Sequence, residues 1–120
     1  MNEKKQPSNR QLKVGQQIRF LVSNFFIKDD FIFDKFDSKN LTIVDVLLSA
    51  DLKNAKIFVT TNSVDENKFV IDELNNKSKL IQKKIALKLT SKFTPKLKFF
   101  FDNSFEYSNK INNILVTINR

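Results

Sequence analysis

The run LTIVDVLLSADLKNAKIFVTT, residues 41–61, constrains this chain more than any other stretch. Residues 41–49 and 55–61 are apolar and β-branched, which suits strands. Only five residues, ADLKN, separate them, and Asp51 and Asn54 are good turn formers. So short a connection joins antiparallel neighbours, so the two strands form a hairpin. Residues 41–49 read as a buried strand. In the second strand Ala55, Ile57 and Val59 share one face, and Lys56, Phe58 and Thr60 share the other.

Helical periodicity flanks the hairpin. After a polar tail at 1–7, Ser8 is a helix cap, and Leu12, Ile18, Leu21, Val22 and Phe25 recur at helical spacing. The pattern predicts a helix over about 8–27, with Arg10, Lys13, Gln17 and Arg19 on its wetter sides. Residues 28–40, KDDFIFDKFDSKN, lack a clean period and read as a loop with a short helical turn, held to the domain by phenylalanines. From Asp65 to about Phe93 a second periodic stretch carries Val70, Leu74, Ile81, Ile85, Leu89 and Phe93 on one stripe. Its period slips at NNKSK, 75–79, where Asn and Ser are poor helix formers, so a kink is expected there and two helices result. Leu80 and Leu87 fall off the stripe. Pro95 opens a third strand, a position where proline is tolerated. Leu97, Phe99 and Phe101 then point to the core, and Lys96, Lys98 and Phe100 point out. Asn103 and Glu106 fit a capping box for a last short helix bearing Ile111, Ile114, Leu115 and Ile118.

Three strands with helices on one face make an α+β two-layer domain. The order helix, strand, strand, helix, kink, helix, strand and short helix is that of a type II KH-like domain, expected over residues 8–118 as one unit. No apolar run approaches the roughly 18–20 residues that span a bilayer. The absence of cysteine and of an apolar leader at the N-terminus fits a cytoplasmic chain.

The chain contains no histidine or cysteine and a single glycine, Gly15. That removes imidazole catalysis, structural zinc and every glycine-rich phosphate loop. The paired carboxylates Asp29-Asp30, Asp65-Glu66 and Asp72-Glu73 read as solvated turns and helix ends. No enzyme, cofactor, metal or small-molecule substrate is expected. The formal net charge is +8, which attracts polyanions. Part of the lysine content reflects the composition of an AT-rich genome, which leaves open a merely solvated basic face. Yet no acid interrupts residues 75–101, and Lys77, Lys84 and Lys88 share one side of the helical pair while Lys79 and Lys83 flank another. Like charges four apart cost helix stability, so phosphate contact is the functional explanation. The candidate RNA-binding set is Arg10, Arg19, Lys77, Ser78, Lys79, Lys83, Lys84, Lys88 and Lys92. A KH domain that clamps single strands does so with a GxxG loop between two helices, and this chain has no glycine there. Aromatics among lysines on the outward sheet face, Phe58 and Phe100 beside Lys56, Lys96 and Lys98, leave a generic single-stranded RNA or DNA binder as the alternative.

Three segments resemble the bacterial ribosome-binding factor A (RbfA) family. SNRQLKVGQQIRFLVSNFF matches its first helix at Ser8, Arg10, Val14, Gln17 and Ile18. VLLSADLKNAKIFVT carries Ser49, Asp51, Leu52 and Ala55 on the pattern S-x-D-L-x-x-A. LTSKFTPKLKFFFDNS carries Pro95, Leu97, Phe99, Asp102 and Ser104. The resemblance implies a KH-like fold without GxxG. It also implies a monomeric, non-enzymatic factor that binds the small (30S) ribosomal subunit and assists late maturation of 16S rRNA, above all in the cold. The chain departs from the family's usual Ala-x-Gly at the kink, where it has Lys77-Ser78-Lys79. It has Thr90 at a usually basic position, though Lys92 stays basic, and DDF where a D-P-R-like turn is usual.

Overall fold

The computed structural model describes residues 6–28, 38–61, 67–90 and 93–102. Helix α1 spans Asn9–Lys28, and a short 3-10 turn follows at Ser38–Asn40. Strands β1, Thr42–Leu48, and β2, Asn54–Thr60, form the hairpin. Helices α2, Asn67–Asn76, and α3, Ser78–Ala86, lead to β3, Lys96–Phe101. This is the expected KH-like order. The expected helix after residue 102, the start at Asp65, Lys92 and most of the 28–40 loop lie outside the described residues.

The sheet order is β1-β2-β3, with β2 antiparallel to β1 and parallel to β3. The helices cover one face. Ile57 of β2 pairs with Val46 and Phe99 in one inward row, and Ala55 pairs with Leu48 and Leu97 in the next. Against these rows pack Val14, Ile18, Val22, Phe25 and Phe26 of α1, Val70 and Leu74 of α2, and Ile81 and Ile85 of α3.

Local chemistry fixes the element ends. Ser8 Oγ accepts the Gln11 N–H at 3.1 Å while Gln11 Oε1 accepts the Ser8 N–H at 2.7 Å, a reciprocal capping box. Gln11 Nε2 also donates to Leu48 O at 3.0 Å, tying the start of α1 to the end of β1. At the other end of α1, buried Ser38 donates to Phe26 O at 2.5 Å, serving one of the last helical carbonyls. The hairpin turn explains the S-x-D-L-x-x-A spacing. Asp51 Oδ1 accepts from the Ser49 hydroxyl at 2.6 Å and from the Lys53 N–H at 3.0 Å. The Ser49 hydroxyl also accepts the Asn54 N–H at 3.1 Å. Leu52 adopts the left-handed region at φ 61°, a conformation uncommon for a leucine, and its side chain packs on the core. Ala55 lies under the sheet's helical layer, 1% exposed.

Several expectations are corrected. β1 is a sheet edge rather than a buried strand, and Thr42, Val44, Asp45 and Leu47 are exposed on it. Its alternation is interrupted because the register slips between Ile43 and Asp45. Leu12 is exposed, because Val14, Gly15 and Phe26 complete the buried face of α1 in its place. The helical stripe does not reach Phe93. α3 stops at Ala86, and the Lys88 and Leu89 N–H groups both turn back to Ile85 O. The chain then leaves the helix to reach Pro95 and enter β3. Leu87 and Phe93 are thereby left at the surface, while Leu89 still packs on the core. Leu80, off the stripe, is also at the surface. Phe99 is buried as expected, whereas Phe101, on the same side, is half-buried at the strand's end.

Candidate nucleic-acid interface

The α2–α3 junction is a kink of one residue. The Lys77 N–H donates to Glu73 O and Leu74 O at 3.1 and 3.2 Å, and Lys77 O accepts from Ile81 at 3.0 Å. The helical ladder therefore runs through the junction and leaves no loop to clamp a strand. Lys77 and Ser78 are half-buried there. Beyond the kink, buried Ile81 and Ile85 set the inward face of α3. Lys79 and Lys83, four apart, stand on the opposite side, exposed. Lys84, and Lys88 in the turn after the helix, lean toward α1.

On α1 a stripe with intervals of seven, four, three and four carries Arg10, Gln17, Leu21, Asn24 and Lys28, and from Gln17 onward it faces α3 and the turn that follows it. Its middle is pinned, because the Thr90 hydroxyl donates to Gln17 Oε1 at 3.0 Å. On one side of this bridge lies a groove of about 280 Å³ between the helices. Phe20, Leu21 and Asn24 line it from α1, Ile85 and Leu87 from the α3 side, and Lys28, Lys84 and Lys88 bring the charge. A second hollow of about 250 Å³ holds Arg10, Lys53 and Phe93 together with Asp51. Phe20 and Phe93 are 65% and 68% exposed, so each hollow sets a solvent-facing aromatic ring beside cations.

The structure thus brings Lys84 and Lys88 together, and with them Lys28, Phe20 and Asn24, which sequence reasoning did not single out. The signal for Lys28 was present, since it continues the helical stripe of Arg10 and Gln17. Arg19 is not brought to this surface. Its guanidinium turns to β1 and donates to Ile43 O at 3.2 Å, beside the register slip. Arg10 lies by the hairpin turn.

The opposite face of the sheet carries the outward aromatics. Phe58 and Phe100 pair across β2 and β3 with ring centroids 5.4 Å apart and nearly parallel. Lys98 and Lys56 place their ammonium groups 5.4 and 6.0 Å from the Phe100 ring centre. Both rings are half-buried.

The described residues contain no cluster of acids fit to hold a metal ion, and no helix among them is long and apolar enough to cross a membrane. Among the described residues, Asp51 is the carboxylate with a displaced titration. The Ser49 hydroxyl first, then the Lys53 amide, hold its carboxyl below the ordinary value.

The model of the ribosome-binding factor A family matches residues 10–115. A ribosome-binding factor A from Pelagibacter ubique is 34% identical over 113 residues, covering 94% of this chain and 93% of the relative. One from Methylocella silvestris is 33% identical over 110 residues, covering 92% of this chain and 71% of the relative. Among solved structures, a Thermotoga maritima ribosome binding factor A superposes with a TM-score of 0.65 at 20% identity, over 81% of this chain and 91% of that one. The Thermus thermophilus ribosome-binding factor A gives 0.60 at 17% identity, over 75% and 93%. Those two share the KH-like architecture seen here, and the match across residues 10–115 settles the lineage: the chain belongs to the ribosome-binding factor A family.

Proposed function

We propose that this protein binds the small ribosomal subunit as a monomer and assists late maturation of its 16S rRNA, including the 5′ region, with its greatest importance in the cold. The domain doing so spans residues 8–118, works in the cytoplasm and acts by binding rather than catalysis. The observation that carries this reading is the family match over residues 10–115, which includes every lysine of α3. The relatives are named for binding ribosomes. The basic side of α3 supports RNA as the contacted component. Lysine meets phosphate as a point charge, so this surface contributes affinity and position, while shape selects the site. Lys79, Lys83, Lys84 and Lys88 form the centre of the contact, flanked by Lys77 and Ser78, and Lys92 and Arg10 complete the proposed set.

The test is co-sedimentation with purified small subunits, large subunits and intact ribosomes at two salt concentrations. Retention on free small subunits at the higher salt is expected, and the double variant Lys84→Glu/Lys88→Glu should lose it while keeping its helical circular dichroism. Equal retention on all three particles, or a double variant that binds like the parent, refutes the reading.

The stacked Phe58–Phe100 pair with Lys56 and Lys98 beside it favours a second reading, a general binder of single strands through the sheet face. Under that reading Phe58→Ala and Phe100→Ala abolish oligonucleotide binding and the α3 variants do not.

A further inference from the structure

We infer that the groove between α1 and α3 takes one unstacked nucleobase of the bound RNA, with flanking phosphates on Lys28, Lys84 and Lys88. The inference rests on RNA being the partner of this surface. A face that meets only phosphate has no use for exposed apolar side chains, yet Phe20 is 65% and Leu87 is 88% exposed, both at this groove. Large apolar groups left in water beside a cavity mark an interaction site. Leu21, Phe25 and Ile85 supply an apolar floor, and the Asn24 amide supplies donors and an acceptor within the lining.

Among the described residues no acid lines the groove, and three lysines do. Its occupant therefore carries negative charge at the rim and a flat, apolar body with a polar edge at the centre. An unstacked nucleotide has this chemistry: the base stacks on an aromatic ring and its edge hydrogen-bonds to an amide. An acidic amphipathic peptide shares the charge pattern but docks several side chains along a helix face at i, i+3, i+4 and i+7. A cavity of about 280 Å³ suits a single ring better than such a row. The second hollow, with Phe93 beside Arg10 and Lys53, repeats the pairing of ring and cation across the Gln17–Thr90 bridge, although Asp51 lowers its net charge.

The chain has no tryptophan, so Phe20→Trp installs one reporter. The experiment titrates the full-length protein with a short oligoadenylate and with an abasic strand of equal length and charge. The oligoadenylate should quench the indole of Phe20→Trp. The abasic strand should bind roughly 10-fold more weakly, and Phe20→Ala should weaken oligoadenylate binding by about 5- to 100-fold without changing its dependence on salt. Leu87→Ser, at a position 88% exposed, should weaken it in the same sense. The inference is overturned if the abasic strand binds as well as oligoadenylate, or if Phe20→Ala and Leu87→Ser bind like the parent. An indole that responds to an acidic amphipathic peptide and not to oligoadenylate also overturns it. In any of those outcomes, loss of subunit binding by Lys84→Glu/Lys88→Glu leaves the proposed function standing, and its retention removes both.

Discussion

Asn75 sits in the last turn of α2, and its amide is paired with both backbone polar groups of Phe99. Oδ1 accepts the Phe99 N–H at 2.8 Å and Nδ2 donates to Phe99 O at 3.0 Å. β3 is an edge strand, so these bonds occupy a position where another strand would otherwise add. Gln82 does similar work nearby, donating to Thr94 O at 3.1 Å just before Pro95. Asn75→Ala removes two partly buried hydrogen bonds worth roughly 0.5–1.5 kcal/mol each, and regains about 0.5 kcal/mol of helix propensity. The expected net loss is about 1–2 kcal/mol in a urea titration, and an unchanged midpoint would show that the amide does not hold the edge. The identity of Asn75 as a poor helix former was enough to place the kink. Its partner was not legible, because Phe99 lies 24 residues away and the pairing exists only once α2 lies along β3. Ser8 shows the converse: its cap was readable because both halves of the bond lie within three residues.

Elements carry two further expectations. The hairpin turn depends on ionised Asp51, whose carboxyl is held low by the Ser49 hydroxyl and then by the Lys53 amide. A carboxyl lowered by folding stabilises fully above its ordinary value, and that contribution fades as pH falls through the lowered one. Asp51→Asn keeps the shape and removes the charge. Its deficit in stability relative to the parent should be complete at neutral pH and shrink as pH enters the acid range, measured by urea melts at each pH. A deficit that holds constant or grows on acidification contradicts the role. The second expectation concerns how α1 lies on β1. A Cβ at Gly15 would stand 3.3 Å from Val46 O and 3.4 Å from Leu48 Cδ2. Gly15→Ala trades that tight contact against about 1 kcal/mol of helix propensity and should come out within about 1 kcal/mol of the parent. Gly15→Val adds branches with nowhere to go and should cost about 1–3 kcal/mol of thermal or urea stability. If the valine variant is as stable as the parent, the close approach of α1 to β1 is wrong. These contacts also show why strand order escaped the sequence reading. Alternation in 55–61 marked the inward side of β2 correctly, but only pairing partners decide which strand is central. β1 therefore looked buried from composition alone.

At the scale of the molecule, the sheet divides two surfaces of different chemistry. The helical side offers lysines around an apolar groove, and the sheet side offers lysines seated against the Phe100 ring. Periodicity made the α3 lysines visible, because their grouping is local to one helix. The groove was hidden, because it needs α1 and α3 side by side and needs α3 to end at Ala86 so that Leu87 and Lys88 turn outward. The two surfaces separate in their response to salt. Each phosphate neutralised by a cation releases condensed counterions, so the slope of log affinity against log salt counts the contacts, at roughly 0.7–0.9 per phosphate. Replacing Lys84 and Lys88 by Gln should therefore lower affinity for small subunits and flatten the slope by about two. Replacing Lys56 and Lys98 by Gln should leave both nearly unchanged. Long-range attraction alone would make the two pairs equivalent, because each removes the same total charge from a chain of net charge +8. Slopes that flatten equally for both pairs would mean that the subunit senses overall charge and no particular face. A difference confined to Lys84 and Lys88 would place the RNA on the helical side of the domain.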